Sequence, residues 1–292
     1  WVAISMIGVS TIGMILFTSR PVGDAMATTI WGTASSWTLT ALPLFVWMGE
    51  ILFRTRLSEN LFKGLSPWMQ KLPGGLIHVN VVGCALFAAI SGSSAATVAT
   101  VGKMSIPELR KRKYPEKILL GSLAGSGTLG LLIPPSIILI IYGVTVQESI
   151  AKLFIAGIFP GIMIALIFMS YVIIWSLANQ KIMPKVHETS SFLDKIKKSK
   201  QLLPVILLIL GVIGSIYTGV ATATEAASLG VVGALALSYF QKSLNLKTFK
   251  ESLLGATKTS CMIAFILAGS TFLSLAMGFT GLPRNLAIWI QE

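Results

Sequence analysis

The sequence predicts an all-α polytopic membrane protein with a re-entrant helical hairpin and a broken transmembrane helix. Three observations carry this expectation. First, 54% of the 292 residues are hydrophobic and only 12% are charged, where soluble domains average about 25% charged. The mean hydropathy is +0.80, which places the chain in the membrane class. Second, its positive charge gathers in alternate connections. Third, the apolar stretch 74–102 has positive charge at both ends and a run of small polar residues at its centre.

A membrane-spanning helix needs roughly 20 mostly apolar residues. Candidate spans fall at about 1–18, 36–53, 118–145, 153–178, 203–220, 223–240 and 255–278. Residues 54–72 read as an interfacial amphipathic helix, with Leu57, Leu61, Phe62, Leu65, Trp68 and Met69 on one face. Residues 179–202 form a polar, Lys-rich loop between two halves of the chain.

The formal charge of +12 would by itself suit nucleic acid or anionic lipid. Its distribution points to topology instead, and no nucleic-acid partner is expected. Connections 54–72, 103–117, 179–202 and 241–252 hold all of the 23 Lys and Arg except Arg20, Lys152, Lys258 and Arg284. The positive-inside rule makes that side cytoplasmic. The basic loop with Arg110, Lys111, Arg112, Lys113 and Lys117 serves as a topology determinant touching lipid headgroups.

This assignment constrains residues 74–102. Lys71 and Lys103 flank the stretch on one side of the membrane, so it must enter and turn back. The turn falls at Ser91-Gly92-Ser93-Ser94. Non-helical backbone at membrane depth survives only inside protein or along a cavity. The second irregularity lies in 118–145. Gly125, Gly127 and Gly130 weaken the helix there, and Pro134-Pro135 removes two donors. Ile133 and Pro134 are expected outside the helix, which restarts with Pro135 near its first position. Ser126 and Thr128 lie near the break.

Two facing breaks rich in Gly, Ser and Thr suit a hard cation such as sodium, which wants several oxygen ligands and needs no carboxylate here. This is the arrangement that secondary carriers use. Close helix packing by small residues is the plainer reading of Gly121 and Gly125. It does not account for four consecutive small polar residues between same-side flanks.

Other polar residues read more simply. Glu225 in "YTGVATATEAASLG" could be an intramembrane carboxylate, but Thr222 and Glu225 fit a capping box opening a helix. An intramembrane serine hydrolase needs a base near its nucleophile. His78 lies 13 or more residues from Ser91, Ser93 and Ser94, at the other end of its segment. Cys84 and Cys261 are small apolar residues in apolar runs, and His78 and His187 make no metal cluster.

The motifs "SGSSAATVATVG" (91–102), "GSGTLGLLIPPSI" (125–137), "FIAGIFPGI" (154–162) and "YTGVATATEAASLG" (217–230) resemble, in this order and over essentially the whole chain, the large membrane subunit of tripartite ATP-independent periplasmic (TRAP) transporters. The resemblance implies an inverted-repeat, elevator-type transporter that imports a small organic acid with Na+. The substrate, a carboxylate such as sialic acid or a C4-dicarboxylate, is delivered by a periplasmic substrate-binding protein. A small membrane subunit is the other partner, and the bacterial inner membrane is the location. It implies no enzymatic activity.

Carried onto these residues, the resemblance implies a sodium site at Ser91, Gly92, Ser93, Ser94, Gly127, Thr128 and Gly130. The substrate would lie beside Ser94, Thr97, Pro134 and Pro135. Residues 1–72 become scaffold helices and the interfacial helix, and 73–145 the transport-domain hairpin and broken helix. Residues 146–202 become a scaffold helix and cytoplasmic loop, and 203–292 the start of a second inverted repeat. The family's second hairpin, second Pro-Pro break and second sodium site would follow Gly281, and the chain stops at Glu292. It also opens at Trp1 inside an apolar run, so it reads as a fragment of a longer protein. The alternative within transport is a divalent-anion/sodium symporter without a binding protein. That relative favours an Asn-Thr pair after serine, where this chain has Ser94-Ala95.

Overall fold

The computed structural model describes residues 1–54, 57–184, 192–200 and 202–291. Arg56, Lys185 and His187, which entered the charge and metal arguments, lie outside the described residues. Every regular element among the described residues is helical. The chain divides into two compact units, 1–40 with 257–292, and 41–256.

In the first unit, α1 (Val2–Phe17) and α2 (Val22–Ala34) meet the C-terminal part of α13 (Leu246–Phe279). Met14, Phe272 and Ala276 form a buried cluster, with Ile7, Val22, Ala25 and Met26 packed on it. Thr33 and Thr271 share a hydroxyl hydrogen bond of 3.1 Å. The sequence reading assigned no helix to α2. Its polar threonines are accommodated because Thr29 and Thr33 donate back to the carbonyls of Ala25 and Thr29. Such back-bonding satisfies a hydroxyl inside an otherwise apolar helix. The short helix α14 (Leu282–Gln291) closes the described chain.

The second unit starts with α3 (Ala41–Phe53), whose Met48 fills the space left open at Gly230 of α12 (Ala223–Phe240). Arg54 ties the end of α3 to α13, bonding Glu50 at 3.2 Å and Glu251 at 3.0 Å. Helix α13 begins at Leu246, with Asn245 accepting from the Thr248 amide at 2.7 Å. Residues 246–252, read from the sequence as connection, are therefore helical. A local side-chain cap outweighs their polar composition.

The amphipathic α4 (Leu57–Met69) leads into α5 (Ile77–Ser91) and α6 (Ser94–Lys111), which pack back to back. Then come α7 (Glu116–Gly127), a 3₁₀ turn (Thr128–Leu131) and α8 (Ile137–Val146). Helix α9 (Ile150–Ala178) runs along this assembly. The Lys-rich connection contains α10 (Phe192–Ser199), and α11 (Leu203–Tyr217) precedes α12.

Among the described residues, α9, α12 and α13 are each long and apolar enough to cross a membrane unaided. Helices α1, α5, α8 and α11 are shorter apolar helices. Phe159, Ile162, Leu166 and Ile174 of α9 stand exposed, as expected for a lipid-facing surface. The chain is a membrane protein.

The break between α7 and α8 is longer than the sequence predicts. The helix restarts at Ile137, with Ser136 rather than Pro135 at its boundary. The Ser136 hydroxyl donates to the Leu131 carbonyl at 2.8 Å, so the intervening backbone closes on itself. Helix α9 fits against this irregular segment through its glycines. A β-carbon on Gly157 would lie 2.6 Å from the Leu132 carbonyl oxygen, and one on Gly161 would lie 2.8 Å from the Ile133 side chain. Only hydrogen at these positions permits such an approach. Gly125 likewise lies against Phe168, whereas Gly121 has nothing within 4 Å. Among the described residues, close packing is seen at Gly125 and not at Gly121.

Candidate functional site: the hairpin tip against the broken helix

Residues 74–102 do not form one rod. Helix α5 ends at Ser91, Gly92 turns the chain in the left-handed region at φ 57°, and α6 starts at Ser94. The Gly92 amide donates to Ala88 O at 2.9 Å, terminating α5. Ser93 starts α6, its hydroxyl accepting from the Ala96 amide at 3.4 Å. Below the turn, Val101 of α6 lies 3.6 Å from the position of a β-carbon on Gly83 of α5, so the halves fold back on each other.

The tip is held by its own hydroxyls. Ser91 Oγ and Thr97 Oγ1 lie 2.9 Å apart, and Ser91 Oγ accepts from the Ser93 amide at 3.3 Å. Ser91 also lies 3.3 Å from the Ser93 carbonyl. Thr97 donating to Ser91, which donates onward to Ser93 O, satisfies each hydroxyl with a single proton. Thr97 is fully buried.

The tip meets the break directly. The Ile137 amide, first in α8, donates to Gly92 O at 3.3 Å. A β-carbon on Gly92 would lie 2.9 Å from Pro135 O. One on Gly130 would lie 3.0 Å from both the Ser93 carbonyl carbon and the Ser94 amide nitrogen. Gly127 faces Val98, with Ser94 O 3.8 Å from its β-position. Ser91, Gly92, Ser93, Ser94, Gly127, Gly130 and Pro135 are thus brought together, and Pro134 is buried beside them. Thr128 is exposed, and its hydroxyl donates to Gly125 O at 2.7 Å. The residue of the break in contact with Ser93 and Ser94 is Gly130.

One group at this junction is unsatisfied. Ser94 Oγ is buried and has no hydrogen-bond partner. Leaving a buried hydroxyl unpaired costs about 1–3 kcal/mol, and Thr100 and Ser105 further along α6 are in the same state.

A buried polar ladder that the sequence reading missed joins hairpin and broken helix. Asn80 Nδ2 donates to Leu119 O at 3.2 Å and to Ser122 Oγ at 3.0 Å. Ser126 Oγ donates to Ser122 O at 2.6 Å. Its signal was an asparagine in an apolar run and two serines four residues apart, the same-face spacing of a helix. At the other end of α5, His78 Nε2 pairs with Pro73 O at 2.7 Å. Thirteen residues of helix, about 20 Å, separate His78 from Ser91, so His78 does not reach the tip. Among the described residues no three His, Cys, Asp or Glu side chains form a metal cluster. Thr222 and Glu225 form a reciprocal capping box at α12: the Thr222 amide donates to Glu225 Oε2 at 2.8 Å, and the Glu225 amide to Thr222 Oγ1 at 3.3 Å.

Comparison with known proteins identifies this architecture. Residues 1–292 match the family described as "Tripartite ATP-independent periplasmic transporter, DctM component". The C4-dicarboxylate TRAP transporter large permease protein DctM of Pseudomonas aeruginosa is 32% identical over 287 residues, covering 98% of this chain and 66% of that protein. The sialic acid TRAP transporter large permease protein SiaM of Vibrio cholerae is 32% identical over 289 residues, again covering 98% and 66%. The isethionate TRAP transporter permease protein DctMQ of Oleidesulfovibrio alaskensis is 31% identical over 267 residues, covering 90% of this chain and 41% of that protein. The chain therefore spans at most about two thirds of the length of these relatives. It belongs to the DctM-component family of tripartite ATP-independent periplasmic transporters, a family of transporter permeases and not of enzymes.

Proposed function

We propose that the protein to which this chain belongs imports a small organic acid across the bacterial inner membrane, driven by sodium. A periplasmic binding protein delivers the substrate, and a small membrane subunit braces the permease. The hairpin and broken helix move together as an elevator-type transport domain. The relatives named above are designated for C4-dicarboxylates, sialic acid and isethionate, which supports an organic acid and leaves its identity open.

The observation that carries the sodium reading is the buried, unpartnered hydroxyl of Ser94, a residue whose backbone lies against Gly130 and near Gly127. Sodium is a co-substrate here. Its ligands are drawn from the backbone carbonyls of Ser91, Gly92, Ser93, Ser94, Gly127, Thr128 and Gly130, with Ser94 Oγ. Glycines at the junction let carbonyls approach where a side chain would hold them apart. Substrate is bound by Ser94, Thr97, Pro134 and Pro135. Thr97 reaches it by exchanging its bond to Ser91 for one to the acid.

The test is thermal melting of the intact protein in sodium and in potassium chloride. Sodium should raise the melting temperature and potassium should not. A cation at about 100 times its dissociation constant adds roughly 2.7 kcal/mol, which is easily measured. The double variant Ser93→Ala/Ser94→Ala should lose most of that shift. Equal shifts from both cations, or a double variant that keeps the full response, would remove the site.

A further inference from the structure

The connection before the second half of the chain contains a helix that the transport reading does not use. Helix α10 reads FLDKIKKS. The helix is pinned onto α4. Trp68 Nε1 donates to Ser199 Oγ at 2.7 Å, and Lys195 Nζ sits 5.5 Å from the centre of the Trp68 ring. Ser199 Oγ also lies 3.4 Å from Gly64 O. A β-carbon on Gly64 would lie 2.6 Å from the Leu202 side chain, so the absence of one lets the chain beyond α10 seat closely on α4.

The joined pair presents a mixed surface. Trp68 is 42% exposed and Ile196 is 41% exposed. On the same two segments Lys71, Lys197 and Lys200 are exposed, while Lys195 is buried against the Trp68 ring. Formal charge is positive on both parts. Residues 192–200 hold Lys195, Lys197, Lys198 and Lys200 against Asp194, and residues 57–72 hold Lys63 and Lys71 against Glu59.

Two occupants compete for such a face. Protein interfaces are depleted in lysine. An exposed indole and aliphatic side chain on lysine-rich segments is instead the composition of an interfacial membrane anchor, with apolar groups at the headgroup boundary and long cationic stems reaching phosphates. The face also belongs to a membrane protein, on the side where its Lys and Arg collect.

We propose that α4 and α10 form one docking platform for the anionic phospholipids of that leaflet. Trp68 and Ile196 enter the headgroup–acyl boundary, and Lys71, Lys197 and Lys200 engage lipid phosphates. Helix α4 packs on α5 and α6, so a docked platform fixes the base of the hairpin to the membrane surface. The inference rests on the membrane character of the chain and is independent of the sodium and substrate readings.

The experiment uses the intact protein carrying Ile196→Cys in a Cys261→Ser background, Cys84 being buried. A nitrobenzoxadiazole label on residue 196 reports its surroundings. The protein is placed in nanodiscs of phosphatidylcholine alone or of equimolar phosphatidylcholine and phosphatidylglycerol. With phosphatidylglycerol the emission should shift to the blue and be quenched when that lipid's acyl chains carry bromine. Raising salt to about 1 M, where the Debye length falls to about 3 Å, should reverse most of the shift. Lys197→Glu/Lys200→Glu should remove it without lowering the melting temperature. Identical emission in both lipids, water-like or membrane-like, overturns the proposal, as does a shift indifferent to salt. The salt arm uses the unsubstituted lysines, so the test stands even if the double variant misfolds.

Discussion

Gly92 carries two constraints at one residue. Its φ of 57° is left-handed, and its α-hydrogens face Pro135 O. Gly92→Ala pays about 1–2 kcal/mol for the left-handed conformation, and its methyl group also meets that carbonyl. A clear drop in melting temperature is expected. Gly130→Ala tests a different quantity. Its methyl group would press on Ser93 and Ser94 backbone atoms at 3.0 Å, which cannot swing aside as a side chain can. We expect it to abolish the sodium-dependent rise in melting temperature. Gly121→Ala is the control, because its β-position is open: it should keep the sodium response and, by removing a glycine from a helix interior, leave stability equal or up to about 1 kcal/mol higher. Among structural residues, Tyr114 is buried, and its hydroxyl accepts from the buried Leu76 amide at 3.1 Å. Burial pushes that phenol up from its ordinary pKa, keeping it neutral. Tyr114→Phe orphans the amide and should cost about 1–3 kcal/mol, read by denaturation of the intact protein.

At the scale of elements, the start of α12 separates a structural carboxylate from a functional one. Thr222→Ala breaks the capping box and should cost about 1 kcal/mol, seen as a lower melting temperature with the sodium response unchanged. Glu225→Gln keeps a side chain that can complete the box, so uptake by the intact transporter should stay near normal. A large loss of uptake with unchanged stability would instead make Glu225 a proton or substrate group. The hairpin and the first half of the broken helix are joined by Asn80, which spans them at full burial. The turn at Gly92 and Ser93 was legible in the sequence, because polar residues interrupt an apolar run there. Helix α2 was not, because its threonines satisfy themselves only once the helix exists. The length of the α7–α8 break was also hidden. It depends on Ser136 closing onto Leu131 and on α9 lying against Leu132 and Ile133.

For the whole molecule, the placement of lysines and arginines makes a testable statement about the arrangement in the membrane. If residues 74–102 enter and leave by one face, Lys71→Cys and Lys103→Cys should both react with a membrane-impermeant thiol reagent from the cytoplasmic side. Labelling of the two from opposite sides would replace the hairpin with a crossing. Composition, charge placement and the four motifs by themselves determined that this is a helical membrane protein of the TRAP large-permease family with a turn at Ser91–Ser94 and a helix interrupted at Pro134-Pro135. Those features are written in local residue chemistry: a lipid solvent demands apolar runs, prolines remove donors, and lysines resist translocation. Only the tertiary structure decided that Gly130 and not Thr128 abuts the tip, that Ser94 is left with an unpaired hydroxyl, and that α10 rests on Trp68. Each depends on which backbone atoms approach within van der Waals contact across a long sequence separation. Glycine permits that approach without naming its partner.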